Sequence, residues 1–203
     1  METIPVYVAN LRRRKDRKES ILRQFEGKSI FELNIVPAKE WKNGSWALWQ
    51  TFYEIVESEY KKQSKFFIFC EDDHVFTENY SETYLEKSII DAQSMDADLL
   101  SGGMSVVGKS VQVNDNLFWV DSFNGMQFTI IFNRLYERII DSKTSEGYVT
   151  DIHLSSLAKR KFVMYPYISI QKEFGYSDAT ETNNDKGKVD RFFHKTQETL
   201  ETL

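Results

Sequence analysis

Phe66-Phe67-Ile68-Phe69-Cys70-Glu71-Asp72-Asp73-His74 is the stretch on which the fold turns. Five apolar residues running straight into three acids read as a strand buried on both faces that ends in a carboxylate cluster. Such a strand belongs inside an α/β sheet with helices on both sides, and in open sheets of that kind ligands collect in the crevice beyond the strand ends. Here the strand delivers negative charge. Three adjacent carboxylates repel one another unless a cation lies between them, so the pattern predicts a divalent ion with oxygen ligands, Mn²⁺ or Mg²⁺. The plain alternative is an acidic turn that only solubilises a loop.

Upstream, Ile4 to Ala9 reads as a strand that turns at Asn10-Leu11 into a helix over residues 12–26, with Ile21, Leu22 and Phe25 on its apolar face. The basic group Arg12 to Arg17 then lies at the helix start, where anions are favoured, which makes Arg13 and Arg17 candidates for phosphate oxygens. A solvated basic face is the alternative. Ile30 to Val36 predicts a second strand. Gly44-Ser45 opens a helix carrying Leu48, Phe52, Ile55, Val56 and Tyr60.

Downstream, Ser81 to Met95 predicts a polar helix and Asp98 to Ser101 a short connection. Residues 104–133 hold three β-rich runs, a partly antiparallel extension. Asn133 to Ile140 and Asp151 to Arg160 read as helices, and Phe162 to Gln171 as one strand. Residues 1–178 form one domain. Residues 179–203 are a polar tail with an amphipathic piece near Phe192 and Phe193.

With 203 residues, 41% of them hydrophobic, the chain can bury a sizeable core. Its one cysteine, Cys70, lies inside the apolar run, so no disulfide forms. No run approaches the ~18 apolar residues of a membrane span, and a soluble, cytoplasmic protein is expected. A net charge of −5 argues against a nucleic-acid partner. The aromatic share of 14% suits either a core or stacking on sugar and base faces.

Gly103-Met104-Ser105-Val106-Val107-Gly108-Lys109-Ser110 fits the P-loop pattern and leaves a nucleotide kinase as an alternative. A P-loop must feed a helix whose N–H groups hold phosphate, however, and Val111 to Asn116 reads as strand and turn. An aspartyl-phosphate enzyme would place an aspartate, not Glu71, at the nucleophile position. His74, His153 and His194 lack zinc-like spacing.

The stretch Val6-Tyr7-Val8-Ala9-Asn10-Leu11-Arg12-Arg13-Arg14-Lys15-Asp16-Arg17 resembles the opening of glycosyltransferase family 25, which includes bacterial lipooligosaccharide and collagen galactosyltransferases. Phe69 to Asp73, Val149-Thr150-Asp151, and Tyr165 to Gln171 with Ser177-Asp178 agree in order and spacing. The resemblance implies a GT-A, Rossmann-like fold: a mixed, mostly parallel sheet flanked by helices. It also implies a metal-dependent enzyme that moves a sugar, with inversion, from a UDP-sugar donor. The sugar would be a hexose, galactose favoured. The acceptor would be a saccharide or glycolipid of cell-surface polysaccharide or lipooligosaccharide synthesis, met at the inner face of the membrane. It assigns the metal to Asp73 and Asp72, and donor contacts to Asn10, Leu11, Arg13, Arg17, Glu71, Asp72 and Gln171. Asp151, read at a helix start, becomes the base for the acceptor proton, with a plain helix cap as its alternative. One departure is clear: the family's Ser-His pair is replaced by Leu48-Trp49-Gln50-Thr51. A nucleotide-binding protein without catalysis, on the same fold, is the other alternative.

Overall fold

In the computed structural model, which describes residues 3–142, 147–175 and 187–203, the apolar run becomes β3 (Phe66–Glu71), and Phe67 to Cys70 have no exposed surface. Successive side chains of a strand point to opposite faces. Phe67 and Phe69 accordingly enter one apolar layer, and Ile68 and Cys70 the other. The first layer is closed by α2 (Gly44–Lys62) through Phe52, Ile55 and Val56. The second is closed by α1 (Lys15–Phe25) through Ile21 and Phe25, and by α3 (Glu82–Ser94) through Leu85 and Ile89. Each fully buried side chain of this size is worth about 1.5–3 kcal/mol over an exposed one, so a strand apolar on both faces is stable only where both are covered.

The main sheet has eight strands. Their order is β2 (Phe31–Pro37), β1 (Ile4–Asn10), β3, β10 (Phe128–Phe132), β5 (Leu99–Ser101), β11 (Lys161–Met164), β8 (Leu117–Val120) and β7 (Ser110–Asn114). β10 and β8 run against the rest, so the sheet is mixed with most strands in one direction. Two small pairs lie apart: β4 (His74–Phe76) with β12 (Ser169–Gln171), and β6 (Val106–Val107) with β9 (Phe123–Asn124). α4 (Tyr136–Ile140), α5 (Thr150–Leu157) and α6 (Lys188–Glu201) complete the description. From β1 the chain crosses to β2 on one side and then returns to place β3 on the other. The carboxyl ends of β1 and β3 therefore flank a switch point, where the crevice of an open α/β sheet forms.

Several sequence expectations change. Asp98 to Ser101 is no mere connection, because Leu99 to Ser101 form β5, buried between β10 and β11. Three residues are too few for a periodicity to show. Of the β-rich runs, β7 and β8 form the edge extension, but β10 inserts antiparallel beside β3. The strand expected over Phe162 to Gln171 is two strands in different sheets. On α1 the helix starts at Lys15, and the third buried side chain with Ile21 and Phe25 is Arg17, whereas Leu22 is exposed. The amphipathic piece near Phe192 and Phe193 is α6, and its Val189, Phe193 and Leu200 join the layer that holds Phe67. No described helix is long and apolar enough to cross a membrane. Ser177 and Asp178 lie outside the described residues.

Candidate functional site

Parallel pairing of β1 with β3 sets Ala9 beside Glu71, which brings Asn10 and the acidic triplet to one place. Asn10, buried, donates from Nδ2 to Asp72 Oδ2 at 2.7 Å and to the Arg14 carbonyl at 3.2 Å. Arg17 stands one turn before Ile21 on the packed face of α1, so the apolar docking of that helix carries a guanidinium into the acids. Its Nη1 donates at 2.9 Å to Asp72 Oδ1 and at 2.9 Å to Asp73 Oδ2. Gln171, from β12, donates from Nε2 to Asp73 Oδ2 at 3.0 Å, and the Lys172 N–H donates to the Asp73 carbonyl at 2.7 Å. A cation does lie between neighbouring carboxylates, and it is the protein's own Arg17.

One guanidinium does not balance the acids. Burial, and then the negative charges of Asp73, Asp151 and Asp72, push the Glu71 carboxyl well above its usual range, opposed only by Arg17. Asp73 is pushed up to about 6 by burial, against the pull of Arg17. Burial also raises Asp151, although its carboxylate accepts N–H bonds from Gly125 and Ile152, each at 2.9 Å. Gly125 has a φ of +100°, a left-handed conformation that favours glycine, and this turn aims its N–H at Asp151.

Asp151 is held by a staple between two helix starts. The Thr150 N–H donates to Ser45 Oγ at 2.8 Å, and Thr150 Oγ1 donates to the Ser45 carbonyl at 2.5 Å. The cap of α5 is Val149, so Asp151 stands in the first turn and is not the N-cap. Neither Ser45 nor Gly125 was singled out from sequence as part of the site. A glycine between two strands and a serine opening a helix give no signal of a partner far along the chain.

Around these groups opens a cleft of about 760 Å³, within the range of small-molecule sites. One lobe lies at the ends of β1 and β2 and is lined by Leu11, Arg13, Lys39, Glu40 and Trp41, with Arg13 ion-paired to Glu40. The other lies between β6, the start of α5 and α6, and is lined by Val106, Gly125, Tyr148, Val149, Asp151 and Phe192. Glu71, Asp72, Asp73 and Gln171 form the floor between them. All the sequence-assigned site residues thus meet at this cleft, Asn10 from behind through Asp72.

Among the described residues no three His, Cys, Asp or Glu side chains gather closely enough to cage a metal. Asp73 Oδ1 is nevertheless buried without a hydrogen-bond partner. Mg²⁺-like ions are commonly held by one or two carboxylates while phosphate oxygens and water complete the shell. The arrangement fits a cation that arrives with a phosphate ligand and not one in a protein-only cage.

The histidines lie elsewhere. His74 Nδ1 is 2.7 Å from Ser169 Oγ, its ring packs against Phe76 and Phe128, and burial lowers its pKa to about 3. His153 lies against the rings of Trp49 and Tyr148, and His194 pairs with Glu198 on the exposed side of α6. Trp49, where the family's Ser-His pair would fall, is a core side chain. In the P-loop-like segment, Lys109 leads into β7 and no helix follows. A Cβ on Gly103 would come within 2.1 Å of the Ser169 carbonyl and one on Gly108 within 2.1 Å of Asp121 Oδ1, so these glycines serve close packing.

No family model and no curated protein matches the chain. Among solved structures it is similar to A197 from STIV, at 14% identity and a TM-score of 0.58, over 88% of this chain and 87% of that one. It is also similar to UDP-glucose pyrophosphorylase complexed with UDP-glucose, at 11% identity and a TM-score of 0.51, over 98% of this chain and 82% of that one. At such identities the likeness is one of fold. The chain has a GT-A-like, mixed α/β fold, as the order of its strands already indicates.

Proposed function

We propose that the protein is a transferase that binds a nucleotide-sugar, a UDP-hexose, and passes the sugar with inversion to a saccharide or glycolipid acceptor. The observation that carries this reading is the network of Asn10, Arg17, Asp72, Asp73 and Gln171 at the switch point between β1 and β3, beside a cleft large enough for such a donor. UDP-glucose in the similar pyrophosphorylase structure, and the four stretches resembling family 25, favour the same ligand class.

Asn10 and Arg17 fix Asp72, and Arg17 with Gln171 fixes Asp73 so that Oδ1 remains for a cation. Arg13 and Leu11 line the lobe where the nucleotide would lie. Mn²⁺ or Mg²⁺, when bound with the donor, would neutralise charge developing on the diphosphate. Asp151, whose carboxylate Gly125 anchors and whose proton affinity burial raises, would in its ionised form take the acceptor's hydroxyl proton. A lipid-linked acceptor would bring the enzyme to the inner face of the membrane.

Thermal denaturation with UDP and Mn²⁺, separately and together, tests the reading. A stabilisation by the pair that exceeds the sum of the single effects is expected, because each completes the other's site. No response to UDP with or without metal would remove the donor assignment.

A further inference from the structure

Four aromatic side chains are exposed among the described residues, Trp41, Tyr60, Tyr148 and Phe192, and all except Tyr60 line the one cleft. Large apolar rings left in water along a concave wall mark a binding surface more often than a packing defect. Trp41 belongs to the β1–β2 lobe. Tyr148, 48% exposed, and Phe192, 40% exposed, belong to the lobe that holds Asp151, and they come from segments far apart in sequence. Tyr148 leans on His153, which packs edge-on against buried Trp49, and Phe192 is carried by α6, a helix anchored in the core through Phe193. Two supported rings facing the cleft make a stacking surface at low cost in side-chain freedom.

The chemistry of this lobe selects its occupant. Its aromatic wall suits the C–H face of a pyranose, while Asp151 and Glu71 offer carboxylate oxygens that accept hydrogen bonds from hydroxyl groups. We infer that the lobe between Tyr148, Phe192 and Asp151 is the acceptor subsite, and that it takes a saccharide whose ring stacks on those two aromatic side chains. This rests on the glycosyltransferase reading and goes beyond it by assigning the acceptor's place and the side chains that hold it.

The test uses the full chain saturated with UDP and Mn²⁺. Saturation-transfer NMR is recorded against neutral disaccharides (lactose, maltose, cellobiose, N-acetyllactosamine) and against sialyllactose and a digalacturonide. At least one sugar of the panel should bind. Tyr148→Ala and Phe192→Ala should each weaken that binding about fivefold or more, with Phe192→Trp retaining it. UDP affinity by calorimetry should stay within about twofold in all three variants, since the nucleotide lobe is untouched. Both rings are substantially exposed, so melting temperatures close to wild type will show that the variants fold. Unchanged sugar binding in both alanine variants, or no binding across the panel, would overturn the inference. A protein that binds sugar through these rings yet ignores UDP would instead overturn the donor assignment and leave the subsite standing.

Discussion

Asp73 is where the site's electrostatics and stability meet. Its pKa is raised in the fold from 3.8 to about 6, so between those values the folded protein holds a proton that the unfolded chain releases. The contribution of this group to stability therefore rises as pH falls through that window and is lost above it. Asp73→Asn should be more stable than wild type at pH 7, with the advantage shrinking by pH 4.5, and should lose the joint stabilisation by UDP and Mn²⁺. Paired thermal melts at the two pH values, with and without ligands, check both parts; an equal offset at both pH values would refute the linkage. Asp151 makes a separate case, because its carboxylate both anchors Gly125 and faces Glu71. If it is the base, Asp151→Asn should cut turnover by about 10² to 10⁴ with UDP affinity within a few-fold. If it only pins the turn, stability should fall by roughly 1 kcal/mol with turnover per folded molecule unchanged. Kinetics and urea melts on the same variant decide between them.

At the scale of elements, helix α1 shows how packing sets chemistry. Ile21 and Phe25 dock it on the sheet, and the helical repeat then aims Arg17, four residues before Ile21, at Asp72 and Asp73. Arg17→Met keeps most of the apolar stem but leaves two buried carboxylates without their guanidinium. A loss of about 2–4 kcal/mol is expected in urea denaturation at pH 7, recovered in part at pH 5 where Asp73 takes up its proton. The segment Gly103 to Ser110 behaves differently: it passes through β6 into β7, and the Lys109 N–H is bound by Asp121. Lys109→Ala should leave UDP and ATP binding unchanged in calorimetry, and a loss of ATP binding would revive the kinase alternative.

On the scale of the whole molecule, the last described helix closes the first core layer over Phe67. Val189, Phe193 and Leu200 are buried there, and Thr196 Oγ1 donates to the Ser105 carbonyl at 2.7 Å. Phe193→Ala should cost about 3–5 kcal/mol in urea denaturation, whereas truncation of its exposed neighbour Phe192 should cost much less. What the sequence determined by itself was the part governed by local pattern. A strand apolar on both faces, Phe66 to Cys70, demanded a covered sheet, and its acidic end placed Glu71, Asp72 and Asp73 at a crevice. Helical repeats located α2 and α3. Strands of two or three residues were not legible, because an alternation needs several residues to show, and β5 in the sheet centre was missed for that reason. Nor did the sequence tell that Arg17 would neutralise the acids, that Ser45 would staple Thr150, or that Tyr148 and Phe192 would stay in water beside one cleft. Those groupings span from 44 to 105 residues of chain, and only the docking of helices on the sheet brings such distant side chains to one hydrogen bond or one cleft.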